Sequence, residues 1–161
     1  MAVMKIVKLG EDDVLRKKAH PVKIIDRRTQ ALLKDMAETM YAADGVGLAA
    51  PQVGILRRIA VIDVGDGLVE LINPEIISSE GSEIAPEGCL SIPGRRCTVE
   101  RPTKVVVRAL DRKGRQIEFT AEGFFARAVC HELDHLDGIV YVDKMIEDVT
   151  DQIMNKGEGD E

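Results

Sequence analysis

The run Gly123-Phe124-Phe125-Ala126-Arg127-Ala128-Val129-Cys130-His131-Glu132-Leu133-Asp134-His135-Leu136 decides how this chain is read. Phe124, Phe125, Ala128, Val129, Leu133 and Leu136 repeat with helical spacing, and Gly138 follows the end. At about 3.6 residues per turn, positions four apart share a face. His131 and His135 can therefore direct two imidazoles at one metal ion. Glu132 sits one step round the helix, within reach of a metal-bound water. This is the His-Glu-x-x-His arrangement of metal hydrolases, in which the Glu is the general base. The competing reading is a pair of surface histidines on an amphipathic helix. The chain has only three histidines, and two of them occupy these positions with an acid between. That favours the metal.

Outward from this helix the pattern changes. Across 26–43, Leu32, Leu33, Met36, Ala37, Met40 and Tyr41 again recur at helical spacing, with Asp26 as N-cap and Gly45 as stop. Between the two helices the β-branched stretches 58–64 and 69–72 flank Gly65-Asp66-Gly67, a turn signal. The stretches 76–77, 104–110 and 116–120 also read as strands, the last two joined by Asp111-Arg112-Lys113-Gly114 as a hairpin. A shorter third helix is expected over 144–154. Helix, several mostly antiparallel strands, then helix predicts an α+β fold rather than repeated βαβ units. No repeat or linker divides the chain. One catalytic domain over 1–161 is expected, with a frayed polar tail at 156–161.

The 161 residues are 45% hydrophobic and 31% charged with no low-complexity bias, which excludes a largely disordered chain. Aromatics are 3% and Trp is absent, so aliphatic residues and Met must fill the core. No apolar run approaches the roughly 20 residues of a spanning helix. The start, Met1-Ala2-Val3-Met4-Lys5, has no signal-peptide pattern. A cytoplasmic protein is expected, without a membrane. The net charge of -6 lacks the basic excess that nucleic-acid binding needs. Three cysteines are too few for a disulfide scaffold and read as reduced thiols.

A catalytic site of this type needs a third protein ligand and an open position. Four residues compete. His20, beside Pro21, reads as a surface residue. Cys130 points about 100° away from His131 on the helix and reads as a packed side chain. Cys97 lies among charged residues with no supporting motif. Cys89 lies in Glu87-Gly88-Cys89-Leu90-Ser91, read as a tight loop. A further motif, Gly45-Val46-Gly47-Leu48-Ala49-Ala50-Pro51-Gln52, is too small and apolar for an ordinary surface loop. It lacks the third glycine of a dinucleotide fingerprint and the Gly-Lys-Ser/Thr of a P-loop, so a nucleotide is not indicated. Its small residues allow close packing beside a site, to which Gln52 offers an N–H donor. The alternative is a helix-to-strand turn with Gln52 on the surface.

Together these three motifs, in this order and at these separations, resemble the signature motifs of peptide deformylases. The likeness covers about residues 3–143 and is to bacterial members. It implies that Cys89, His131 and His135 hold one divalent metal with water as the fourth ligand. Glu132 then takes a proton from that water, which attacks the formyl carbon of an N-formylmethionyl peptide. The Gln52 side chain and the Leu90 backbone N–H stabilise the oxyanion. The resemblance implies iron(II) first and zinc(II) second, with nickel or cobalt able to substitute.

The same resemblance implies a methionine pocket lined by Val46, Glu87, Gly88, Arg96, Phe124, Arg127 and Ala128. Several family members carry an apolar residue where Arg127 stands. Gly45 and Gly47 are implied to be structural. Asp134 is implied to support the metal site, by orienting a ligand imidazole or by pairing with Arg101. The implied partners are nascent N-formylmethionyl peptides. Transient ribosome contact suits such a substrate, although the acidic charge lends it no support. Two other readings stand beside this one: a metallopeptidase built on the His-Glu-x-x-His motif, and a non-catalytic metal-stabilised binding domain.

Overall fold

A computed structural model describes residues 2–155 of the chain. The tail expected over 156–161 lies outside the described residues. In chain order the elements are α1 (Arg27–Ala42), β1 (Gly47–Ala49), β2 (Ile59–Ile62), β3 (Val69–Glu80), β4 (Glu83–Cys89), β5 (Ile92–Arg101), β6 (Lys104–Leu110), β7 (Gln116–Glu122), α2 (Phe124–Leu136), β8 (Met145–Asp148) and α3 (Thr150–Asn155). The fold is α+β. A five-stranded sheet runs β1-β2-β3-β6-β7 and a three-stranded sheet runs β4-β5-β8. Every pairing between these strands is antiparallel.

Both long helices form where the periodicity puts them. Asp26 caps α1, its side chain accepting from the Thr29 N–H. The apolar stripe Leu32, Leu33, Met36 and Met40 packs on Leu48, Ile59, Val61 and Ile72. The opposite face of the sheet receives α2, whose Ala126, Val129 and Leu133 pack with Ile62, Leu71, Val105, Val107 and Ala121. Side chains of a strand alternate between faces. In β2, Ile59 and Val61 thus meet α1, while Ala60 and Ile62 turn towards α2. This strand is apolar throughout because both of its faces are covered. The small pair Ala49 and Ala60 lets Leu136 of α2 pack closely.

Three expectations are corrected. The stretches 69–72 and 76–77 are one strand, β3, which continues to Glu80 through two irregularities in its pairing with β6. The first follows Asn73, which has a positive φ and bonds the Val22 backbone through both its side-chain oxygen and nitrogen. The helix expected over 144–154 is split. Met145–Asp148 form β8 against β5, and only Thr150–Asn155 are helical. The outer edge of β5 offers backbone partners that outweigh local helical preference. Lastly, 83–101 form a hairpin, β4–β5, in place of a loop. Pro86, Gly88, Pro93 and Gly94 mask that hairpin in the sequence.

Candidate active site

The site lies where α2 crosses the end of β4 and the small-residue segment after α1. From α2, His131 and His135 project as an edge-on pair with ring centroids 5.1 Å apart. From the end of β4, Cys89 places its Sγ 3.3 Å from His135 Nε2. The ligand atoms of Cys89, His131 and His135 all fall within 4.8 Å of one another. One sulfur and two imidazole nitrogens at this spacing form a donor set suited to a transition metal. The ring of Tyr141 covers His131 at 5.9 Å.

The imidazoles are held differently. His131 Nδ1 meets Glu87 Oε1 at 2.9 Å, leaving Nε2 for a ligand. Burial alone would depress His131, but hydrogen bonds with Cys89 and Glu87 raise it well above its ordinary pKa. Burial and the charge of His131 keep His135 well below its own, so it stands neutral, the form that ligates. Its Nδ1 is buried without a hydrogen-bond partner among the described residues.

Glu132 follows His131 and is buried, and its Oε1 has no hydrogen-bond partner among the described residues. Burial is the main cause that lifts its carboxyl from 4.5 to about 7, with the charge of Glu87 adding and that of His131 opposing. Glu132 rests against Gly47 of β1. A Cβ at Gly47 would overlap Glu132 Oε2, and one at Gly45 would come within 2.7 Å of Leu90 Cδ1. The glycines of this segment therefore make room for the Glu132 carboxyl and for Leu90, the residue after Cys89.

Gln52 stands on a short 3-10 turn, Ala50–Val53, beyond β1. Its Oε1 accepts from the Ala49 N–H at 2.9 Å, which fixes which way the amide points. Its Nε2 then donates to Ser91 Oγ at 3.1 Å and approaches Cys89 Sγ at 3.6 Å. Ser91 is a site residue that the motif reading passed over. The hydroxyl is legible in Glu87-Gly88-Cys89-Leu90-Ser91, but its bond to Gln52 spans 39 residues.

Glu87 and Arg127 differ most from the pocket wall that the resemblance implies. Both are buried. Arg101 donates to Glu87 through Nε (2.8 Å, to Oε2) and Nη2 (3.0 Å, to Oε1), and Arg127 Nη1 donates to Oε2 at 2.7 Å. Hydrogen bonds and charge from Arg101 and His131 hold the Glu87 carboxyl at about 2 against its burial. Asp134 does pair with Arg101, at 2.7 Å, and with Lys144, at 3.0 Å. The carboxylate on the His131 imidazole is Glu87. Val46 and Phe124 are open to solvent, at 40% and 58% exposure, whereas Ala128 is buried. Arg96 lies against Gly88, where a Cβ would overlap its guanidinium. His20 is exposed, and Cys97 and Cys130 are buried away from the three converging donors.

Residues 3–150 match the family model described as polypeptide deformylase. The chain belongs to the peptide deformylase family. A peptide deformylase of Caldanaerobacter subterraneus is 62% identical over 146 residues, 91% of either chain. The crystal structure of the peptide deformylase from Thermotoga maritima superposes with a TM-score of 0.86 at 44% identity, covering 89% of this chain and 98% of that one. The Synechococcus elongatus deformylase, solved with actinonin, gives 0.87 at 42% identity, covering 95% and 85%. Deformylase membership makes the chain a hydrolase of a metal-dependent family, and the Cys89, His131 and His135 donors fit such a metal. Among the described residues no helix is long and apolar enough to cross a membrane.

Proposed function

We infer that the chain is a metal-dependent hydrolase that removes the N-formyl group from the N-terminal formylmethionine of newly made polypeptides and releases formate. Family membership supports the activity. One observation carries the residue roles: Cys89, His131 and His135 converge beside a buried Glu132 whose Oε1 has no hydrogen-bond partner among the described residues. The protein works as one catalytic domain in the cytoplasm, on nascent chains. Iron(II) is the first assignment for the metal and zinc(II) the second, since a mixed sulfur and imidazole set suits both.

Held by these three side chains, a divalent metal supplies Lewis acidity to water and to the formyl carbonyl. Glu132 accepts the proton of the attacking water. A carboxyl poised near neutrality can then return that proton to the leaving amine nitrogen, giving formate and a free N-terminus. Gln52 Nε2 carries two hydrogens. One stays on Ser91 Oγ, while the other exchanges its long contact with sulfur for the developing oxyanion. The Leu90 N–H donates to the same oxygen. β1 is the outer strand of its sheet, so a peptide can extend along its free edge, as in strand addition. The methionine side chain enters beside Val46, Phe124 and Ala128. Phe124 and Ala128 share the helix face of His131 and His135.

Formate release from an N-formyl-Met peptide tests this reading, with the anaerobically prepared chain and its Glu132→Ala variant. Release by the parent chain and not by the variant is expected. No release from a fully metallated chain would overturn the assignment.

A further inference from the structure

We propose that Arg127 is a positioning residue of the metal centre: from α2 it grips Glu87 and the β4–β5 hairpin, and so sets where Cys89 stands relative to His131 and His135. This inference rests on the metal-centre reading above. The three donors come from two elements, Cys89 from β4 and the histidines from α2. Their spacing is therefore only as fixed as the join between strand and helix.

Arg127 makes that join. Its Nη1 donates to Glu87 Oε2 at 2.7 Å, to the Val99 carbonyl at 2.9 Å and, longer, to the Ala85 carbonyl at 3.4 Å. Its Nη2 donates to the Glu83 carbonyl at 2.8 Å. Glu83, Ala85 and Glu87 lie on the strand that ends in Cys89. One planar guanidinium thus ties three points of β4 and one of β5 to the helix one turn before His131.

The arrangement at Glu87 gives the second arginine a separate task. A carboxylate has about four acceptor positions. Here Oε1 faces Arg101 Nη2 and His131 Nδ1, and Oε2 faces Arg101 Nε and Arg127 Nη1. Arg101 alone supplies a bidentate counter-charge, which it shares with Asp134. Arg127 adds a second donor to Oε2 and stops the carboxylate from turning off His131. Its guanidinium is buried on these acceptors, so it is not free to meet the substrate.

The test is the Co(II) dissociation constant of the chelator-stripped full chain, read by competition with a chromophoric chelator. Arg127→Met is expected to weaken Co(II) by about 10–100-fold, the cost typical of losing support behind a ligand. Met36→Ala, which damages the core on the other face of the sheet, is expected to keep the parent affinity. Parent-like affinity in Arg127→Met, or an equal loss in both variants, overturns the proposal. If Arg127→Met does not fold, Arg127→Lys takes its place with the same two outcomes, because an ammonium cannot span these acceptors. A parent chain that binds no Co(II) overturns the metal-centre reading as well, which separates the two failures.

Discussion

Gly47 lies directly against the Glu132 carboxyl, so close that a single methyl at Gly47 would occupy the place of Oε2. The segment after α1 is thus a mould for the Glu132 carboxyl, the proposed general base. Glu132 is buried and cannot retreat into solvent. Gly47→Ala is therefore expected to displace the carboxyl and lower kcat by about 10²-fold, as a misplacement near 1 Å commonly does. Metal content should stay at the parent level. Steady-state formate release on metal-quantified protein checks this, and a kcat within twofold of the parent would refute it.

Gln52 and Ser91 form a donor and its brace. Gln52→Ala should cost about 10²–10³ in kcat, the usual loss for one oxyanion donor. Ser91→Ala leaves the donor in place but frees its second hydrogen, so its kcat should fall by less. If Ser91→Ala proves the more damaging of the two, the amide is not the donor that matters.

Glu87 is a buried anion that bonds Arg101, Arg127 and His131. Glu87→Ala leaves the buried Arg127 without its carboxylate and Arg101 with Asp134 alone, and breaking such buried pairs costs about 3–5 kcal/mol. Urea unfolding should show that loss as a lower midpoint at unchanged slope. A change under about 1 kcal/mol would mean that water or rearrangement replaces the carboxylate.

The metal should stabilise the folded chain as well as activate it. A ligand that binds only the native state at a hundredfold excess over Kd adds about 2.7 kcal/mol. Chelation is expected to lower Tm and abolish formate release, and added Fe(II) or Zn(II) to restore both. Cys89→Ser should lower the parent Tm and respond less to chelator. A Tm indifferent to chelator in the parent chain would argue against metal at these three side chains.

On the other face of the sheet, Met36 is fully buried in the α1 cluster. Met36→Ala should destabilise by about 2–5 kcal/mol, as large-to-small core changes do. Below its melting transition the variant should keep the parent kcat. Loss of kcat in step with stability would show that the α1 face and the site are coupled.

The sequence by itself determined what is local. A helical period is written along α1 and α2, so their residues, their apolar stripes and the Asp26 cap could be read directly. The same period puts His131, Glu132 and His135 together, because positions four apart meet on a helix. The motif resemblance added Cys89 and Gln52. Tertiary structure alone decided the rest. β4 and β5 pair as a hairpin whose Pro, Gly and charged side chains hide it locally, and β8 forms only because it pairs with β5 residues 46 to 51 positions earlier. Glu87 finds Arg101, Arg127 and His131 at separations of 14, 40 and 44 residues. Such bonds leave no period in the chain. They exist because an anion removed from water must collect its donors from whichever elements the fold brings beside it.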